Sequence, residues 1–237
     1  RSRNTLGIVL GEVGRFDEAE QHLSAAQRCL ETADSPSYLP KVIANFGSLF
    51  KKRAEAAVAA GDCEGARRFL RRAVQMLEEG LAKDGDANFF EKADKYIALA
   101  EYYFLLGDYA SARAKVGEAL GLGKKLKHSQ IVIESYLYLG RILLALGDRI
   151  DAESNFKLVL ELSRAAELRD LQLQAHRHLA ECYAAMNRPL DAASQAALAD
   201  ELEAGIQAGH QDAQREVRHL WAQYFSRHPL IGPVTKA

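Results

Sequence analysis

The chain has 237 residues, enough for one large domain or a repeat array, and its 48% hydrophobic and 27% charged residues are ordinary for a soluble folded protein. A net charge of -1 leaves no electrostatic footprint for nucleic acid or an anionic membrane, and there is neither a membrane-length apolar run nor a signal-peptide pattern. Only 5 prolines stand among abundant Ala, Leu and Glu, which favours helix nearly throughout, and three widely separated cysteines, Cys29, Cys63 and Cys182, fit a reduced, cytoplasmic protein.

The chain begins at Arg1 without a methionine and enters an apolar period at once, at Leu6 and Leu10, with no helix cap before it. A repeat array opens on an atypical capping unit, so this start reads as that of a fragment of a longer protein. The first hairpin, about 1–32, turns at Gly14-Arg15-Phe16-Asp17-Glu18-Ala19. Thr32-Ala33-Asp34-Ser35-Pro36 supplies turn chemistry before a second hairpin, about 41–83, which turns at Gly61-Asp62. Its first helix carries Asn45-Phe46-Gly47-Ser48-Leu49-Phe50. Its second keeps one face through Ala66, Phe69, Leu70, Ala73, Val74, Leu77 and Leu81. The hinge Gly61 comes a full seven residues late. Either both helices are about two turns longer than their neighbours, with the tip around 57–68 standing clear of the array, or the first helix breaks near Gly47. The long hairpin is preferred because the two elongations match.

Beyond Lys83-Asp84-Gly85-Asp86-Ala87-Asn88 lies the third hairpin, about 89–126, hinged at Gly107-Asp108. One helix offers Tyr96, Leu99, Ala100 and Tyr103, the other Ala112, Val116, Ala119 and Leu120, at three- and four-residue spacing. Lys124-Lys125-Leu126-Lys127-His128 reads as solvated cations at a helix C-terminus. The fourth hairpin, about 128–166, turns at Gly147-Asp148, and the fifth, about 168–208, at Asn187-Arg188-Pro189, with Asn as the next-best left-handed residue. Gly205 and Gly209 then loosen the helix. A separate helix, 210–227, resumes with Val217, Leu220, Trp221, Tyr224 and Phe225 on one face. That stripe reads as a cap on the last hairpin; its rivals are a docking or dimer contact and a lead into another domain. An extended, Pro-broken tail covers 228–237.

The order of large and small positions resembles the tetratricopeptide repeat. The fourth unit shows Tyr136, Leu139-Gly140, Leu143, Gly147, Ala152, Phe156 and Val159; the third, Tyr96, Leu99-Ala100, Tyr103, Gly107, Ala112, Val116 and Ala119. The fifth has His176, Leu179-Ala180, Tyr183, Asn187, Ala192, Ala196 and Ala199, and the first Leu6-Gly7, Leu10, Gly14, Ala19, Leu23 and Ala26. The resemblance covers about 1–208 and implies an all-α fold: a right-handed superhelix of about five antiparallel hairpins plus a C-terminal capping helix. Marker alanines at 19, 66, 112, 152 and 192 give intervals of 47, 46, 40 and 40, longer than the family's usual period of about 34. Such long units are similar to those of kinesin light chains, spindle-orientation adaptors and bacterial regulators with sensor repeats. In the tail, Pro229, Leu230 and Gly232 resemble the segment that opens diguanylate cyclase domains.

No constellation for catalysis stands out. His176 and His178 are two apart on a helix and point to different faces; the cysteines lack metal spacing and read as buried small hydrophobes, apart from Cys63 in its hinge. Gly-rich phosphate loops and nucleophile elbows are absent, so neither enzyme activity, cofactor nor metal is expected. The resemblance implies instead a concave groove lined by the first helix of each hairpin. Its positions are Asp94, Ile97, Glu101, Phe104 and Leu105, then Glu134, Leu137, Tyr138, Arg141 and Leu144, then Gln174, Arg177, His178 and Glu181. Exposed Ile97, Phe104, Leu137, Tyr138 and Leu144 would form an apolar strip flanked by Arg141 and Arg177, suited to an amphipathic helix or extended peptide, unless the array's own curl or its C-terminal helix fills the groove. Ile97, Glu101, Leu137 and Arg141 stand where chaperone-binding relatives carry a basic carboxylate clamp, which disfavours chaperone C-termini. The expectation is a non-catalytic protein- or peptide-binding scaffold, monomer or homodimer, without nucleic acid or membrane. The alternative is a sensory or regulatory segment of a larger signalling protein, upstream of a diguanylate cyclase or DNA-binding output domain.

Overall fold

A computed structural model describes residues 2–32, 38–83 and 89–227, with side chains as far as residue 219. The connections expected at 33–36 and 84–88 and the tail 228–237 lie outside the described residues. Among the described residues ten helices follow one another: α1 (Ser2–Glu12), α2 (Phe16–Thr32), α3 (Leu39–Ala59), α4 (Cys63–Lys83), α5 (Phe89–Leu106), α6 (Tyr109–Leu126), α7 (Ser129–Ala145), α8 (Arg149–Ala165), α9 (Arg169–Ala185) and α10 (Pro189–Arg227). They pack pairwise as five sequential hairpins, α1–α2 through α9–α10, the architecture of an α-solenoid.

All five hinges share a left-handed residue, and three of them add a capping Asp. Gly14, Gly61, Gly107 and Gly147 take φ between +78° and +88°, and Asn187 takes +57°, the left-handed conformation that ends a helix. At the third hinge the Asp108 N–H donates to the Tyr103 carbonyl at 2.9 Å and the Gly107 N–H to the Phe104 carbonyl at 3.0 Å. The next residue starts the following helix: the Asp62, Asp108 and Asp148 carboxylates accept from the N–H groups of Gly65, Ser111 and Asp151. Those bonds hold the Asp108 carboxyl below its ordinary range.

Within a hairpin, a small residue on the first helix lies under a large one on the second. A Cβ on Gly140 would sit 2.6 Å from the Phe156 ring, one on Gly7 2.8 Å from Leu23, and one on Gly47 3.0 Å from Leu77. This contact exposes the true register. Leu23 and Phe156 lie four residues after Ala19 and Ala152, whereas Leu77 lies four after Ala73 and eleven after Ala66. Ala73, not Ala66, is therefore the packing equivalent. The small positions Gly7, Gly47, Ala100, Gly140 and Ala180 then follow at intervals of 40, 53, 40 and 40. The period is 40 throughout, with an insertion at the tip of the second hairpin.

α3 runs unbroken through Gly47. It and α4 are 21 residues each, against 17 or 18 for α5 to α9. The helices are thus about one turn longer than their neighbours, not two: the hinge end gains two turns and the opposite end loses about one. The break expected near Gly205 and Gly209 is also absent, since α10 is a single helix of 39 residues. A helical Gly costs about 1 kcal/mol, but each further residue adds a hydrogen bond, so two glycines without a left-handed residue or a Pro do not end the helix.

Successive first helices lie side by side, α1 with α3, α5 with α7 and α7 with α9, while no two second helices approach as closely. The first helices therefore form the inner, concave wall. The exception is the pair α3 and α5, which makes no comparable approach.

The Gly140–Phe156 contact predicts opposite outcomes for two Gly→Ala changes. Gly140→Ala should destabilise by about 1–3 kcal/mol through overpacking. Gly117→Ala, which on α6 meets nothing within 4 Å, should stabilise by about 0.5–1 kcal/mol. Urea unfolding followed by circular dichroism measures both, and shifts of the same sign would contradict the packing.

Candidate peptide-binding groove

The 40-residue register aligns the inner wall into rows. Asp94, Glu134 and Gln174 form one; Ile97, Leu137 and Arg177 the next; Ala98, Tyr138 and His178 a third; Glu101, Arg141 and Glu181 a fourth; Phe104, Leu144 and Ala184 the last. The rows differ in fate. Ile97 and Leu137 are not groove residues: Ile97 packs with Ala93, Ala119 and Ile131, and Leu137, 1% exposed, sits in the cluster of Phe156 and Leu179. A first helix in a stack buries two faces, one against its own partner and one against the next hairpin, so the apolar stripe is wider than in an isolated hairpin. Arg177 occupies the same row at the last unit, and its guanidinium reaches Glu203 on α10 at 2.8 Å instead of flanking the groove.

What remains on the inner face is smaller and more polar than the expected strip. Arg141 spans two helices, its guanidinium 4.6 Å from the ring centre of Phe104 on α5 and 4.9 Å from that of Tyr138 on α7. Phe104, Tyr138 and Leu144 are half-buried. His178 stacks on Phe156 with ring centres 5.5 Å apart, and its Nδ1 lies 2.9 Å from the Glu181 carboxylate, whose pKa is lowered by that bond. Glu101 meets Lys51 of α3 at 2.9 Å.

The floor between α5 and α7 carries strained charge. Burial raises the Glu134 carboxyl above its ordinary range, and the charges of Asp94 and Glu101 push it the same way against Gln130's hydrogen bond. The Asp94 carboxyl stands exposed at the edge of this floor and is raised by partial desolvation, with His128 pulling it back down. The Tyr138 hydroxyl is pushed up by burial first and by Glu101 second. Sequence spacing put Asp94 and Glu134 on the inner wall, but the push of Asp94 on the Glu134 carboxyl shows only once the hairpins are in register.

Among the described residues α10 packs on α9 and does not fill the groove. Its half-buried stripe, from Ala192 through Gln195 and Leu202 to Ile206, faces α9, and residues 207–219 are exposed. These residues do not fold back as a cap. Val217 is exposed; the side chains of Leu220, Trp221, Tyr224 and Phe225 lie outside the described residues. Cys29, read as buried, is exposed at the surface of α2, and Cys182 is buried, its thiol pushed up by burial and donating to the Arg149 carbonyl at 3.3 Å. Among the described residues no group of three or more His, Cys, Asp or Glu could hold a metal ion, and no helix is long and apolar enough to cross a membrane.

The sequence profile of the tetratricopeptide repeat matches residues 1–25 and 96–114. No curated protein matches the chain in sequence. Solved structures do match in fold. BtubC (BKLC) from P. vanneervenii is 18% identical, with a TM-score of 0.68 over 86% of this chain and 80% of that one. A Podosopora anserina protein described as a kinesin light chain, with nearly identical repeats, is 21% identical, with a TM-score of 0.59 over 88% of this chain and 96% of that one. A signal transduction ATPase with numerous domains from Pyrococcus horikoshii, which has a tetratricopeptide repeat sensor, is 17% identical with a TM-score of 0.62; the match covers 88% of this chain and 30% of that one. At these identities the likeness is one of fold.

The raised Glu134 carboxyl sets a pH test. The folded state holds that proton more tightly than the unfolded state does, so stability falls as pH rises from the ordinary Glu range through the folded value, and the deficit persists above it. Glu134→Gln should raise the Tm at pH 7 and match the parent at about pH 3.5, where a free Glu is protonated. Thermal melts at the two pH values decide it; an equal shift at both would refute the buried-charge account.

Proposed function

The chain belongs to the tetratricopeptide repeat family, and from that premise we propose that it is a non-catalytic scaffold module that binds a protein or peptide segment along α5, α7 and α9. The observation that carries the proposal is Arg141 held between Phe104 and Tyr138 at the centre of the inner wall. A half-buried guanidinium on aromatic faces is the composition of desolvated interface centres. The neighbouring carboxylates support it, because strained charge kept on a concave face is stability spent where a ligand can offset it.

Successive inner helices lie about 8–10 Å apart, and an extended segment rises about 3.3 Å per residue, so a bound peptide crosses one helix in roughly three residues. Running along the row Glu101, Arg141, Glu181, it meets acid, base, acid in turn. Lys51 already engages Glu101 and His178 engages Glu181, so the favoured partner offers an acidic residue to Arg141, with an apolar side chain beside Tyr138 and Leu144. Affinity capture with the parent chain and with Arg141→Glu, compared by mass spectrometry, tests this. The variant should melt near the parent temperature and lose the proteins the parent retains; identical sets from both would remove the groove from consideration.

A second reading, a regulatory segment of a larger signalling protein, is favoured by α10. The helix continues about 20 residues past Ile206, about 30 Å, and residues 207–219 of that rod are exposed. Such a rod can act as a lever or a dimer contact between a repeat array and an output domain, such as a diguanylate cyclase or a DNA-binding domain, and the P. horikoshii ATPase uses its repeats as a sensor. Light scattering should then give a dimer mass for the parent chain and a monomer mass for Val217→Glu. A monomer in both cases would argue against a dimer contact through α10.

A further inference from the structure

The insertion at the tip of the second hairpin builds a cleft of about 510 Å³ between α3, α4 and α5. It opens where α3 and α5, unlike the other neighbouring first helices, fail to pack side by side. Tyr102 lies at this junction. It occupies the row held by Val9, Leu49, Ile142 and Cys182 in the other units, and its larger ring is buried in the core cluster shared with α3 and α4. The inserted turns then rise past the end of α5. Their Ala54, Ala66 and Leu70 form an apolar floor, and Val58 and Leu105 stand at the mouth, 61% and 46% exposed.

The charges around this mouth are unequal in availability. Both acids are engaged by one lysine: Lys51 Nζ lies 2.9 Å from Glu101 and 3.6 Å from Glu55. Arg67, on the α4 side, has no partner among the described residues, and neither have Arg68 and Arg71 on the same helix. The cleft thus joins uncovered apolar surface to free guanidinium groups.

We propose that this cleft is a second binding site, beside the α5–α9 groove and meeting its lining at Glu101, for an acidic peptide that carries an aliphatic or aromatic anchor. The anchor covers Val58 and Leu105, and a neighbouring carboxylate takes the fork of Arg67, with Arg68 and Arg71 attracting the acidic flank. A basic peptide would displace Lys51 from its two carboxylates or face unpaired guanidinium groups, which is unfavourable in either case.

Fluorescence anisotropy with the full chain tests the proposal. The probe is a labelled twelve-residue peptide of Asp and Glu around a central Leu-Ile-Phe; its twin replaces every acid by Lys. The acidic probe should bind saturably and the twin should not. Arg67→Glu should weaken binding by tenfold or more, and Val58→Trp, which fills the mouth from an exposed position, should abolish it. Circular dichroism melts confirm that both variants fold. Arg141→Glu, in the other groove, should leave the probe's affinity unchanged, which separates this site from the preceding proposal. Absence of saturable binding, equal binding of both peptides, or parent-like binding by Arg67→Glu each overturns the site. So does a dimer in light scattering that Val58→Trp returns to monomer, because a second copy of the chain would then occupy the cleft.

Discussion

The contact on which the array depends is the one beneath Phe156, where Gly140 brings two helix backbones so close that a Cβ would lie 2.6 Å from the ring. The same contact recurs at Gly7 under Leu23 and Gly47 under Leu77. Close approach on that side fixes how each hairpin closes, and the hinge chemistry follows from it. A left-handed Gly and a capping Asp turn the chain within a few residues, which keeps the two contact points opposite one another. Stacking then multiplies a geometry that one hairpin cannot hold alone.

Much of the fold was legible in the sequence, because large-on-small packing leaves a mark at three of the units and three of the five hinges read Gly-Asp. Two features escaped, each for its own reason. Counting from the hinge made Ala66 the marker of the second unit, and the packing makes it Ala73, since hinge and contact move apart when turns are inserted between them. The continuity of α10 through Gly205 and Gly209 depends on helix cooperativity, which composition alone underrates.

The candidate groove was legible only in part. Spacing separates a helix into faces, but it does not say how many of those faces a neighbour will cover. Ile97 and Leu137 look like free apolar positions on a single hairpin; the next hairpin buries them. Arg177 shows the same row where no described hairpin follows: with nothing apolar to cover, the position carries a charge and pairs with Glu203. The rows that stay open, through Tyr138 and through Arg141, are those pointing between first helices toward the centre of curvature.

Tyr102 ties these threads together. In a perfectly repeating array its row would pack α5 against α3 as Ile142 packs α7 against α5, and the inner wall would be continuous. The larger ring, set beside Glu55 and Glu101 with its hydroxyl pushed up by burial, stands at the junction where α3 and α5 make no comparable approach. The interruption coincides with the inserted turns, two departures from the repeat that share one edge. Neither serves the packing: the insertion exposes Val58, and the gap leaves the Lys51–Glu101 pair as a side-chain bridge where backbone contact would be tighter. A surface ion pair contributes about 0–1 kcal/mol, less than the burial it replaces. Where a repeat gives up packing at one junction and keeps it at its neighbours, a demand other than stability acts there, and shape with uncompensated charge is what that junction has to offer.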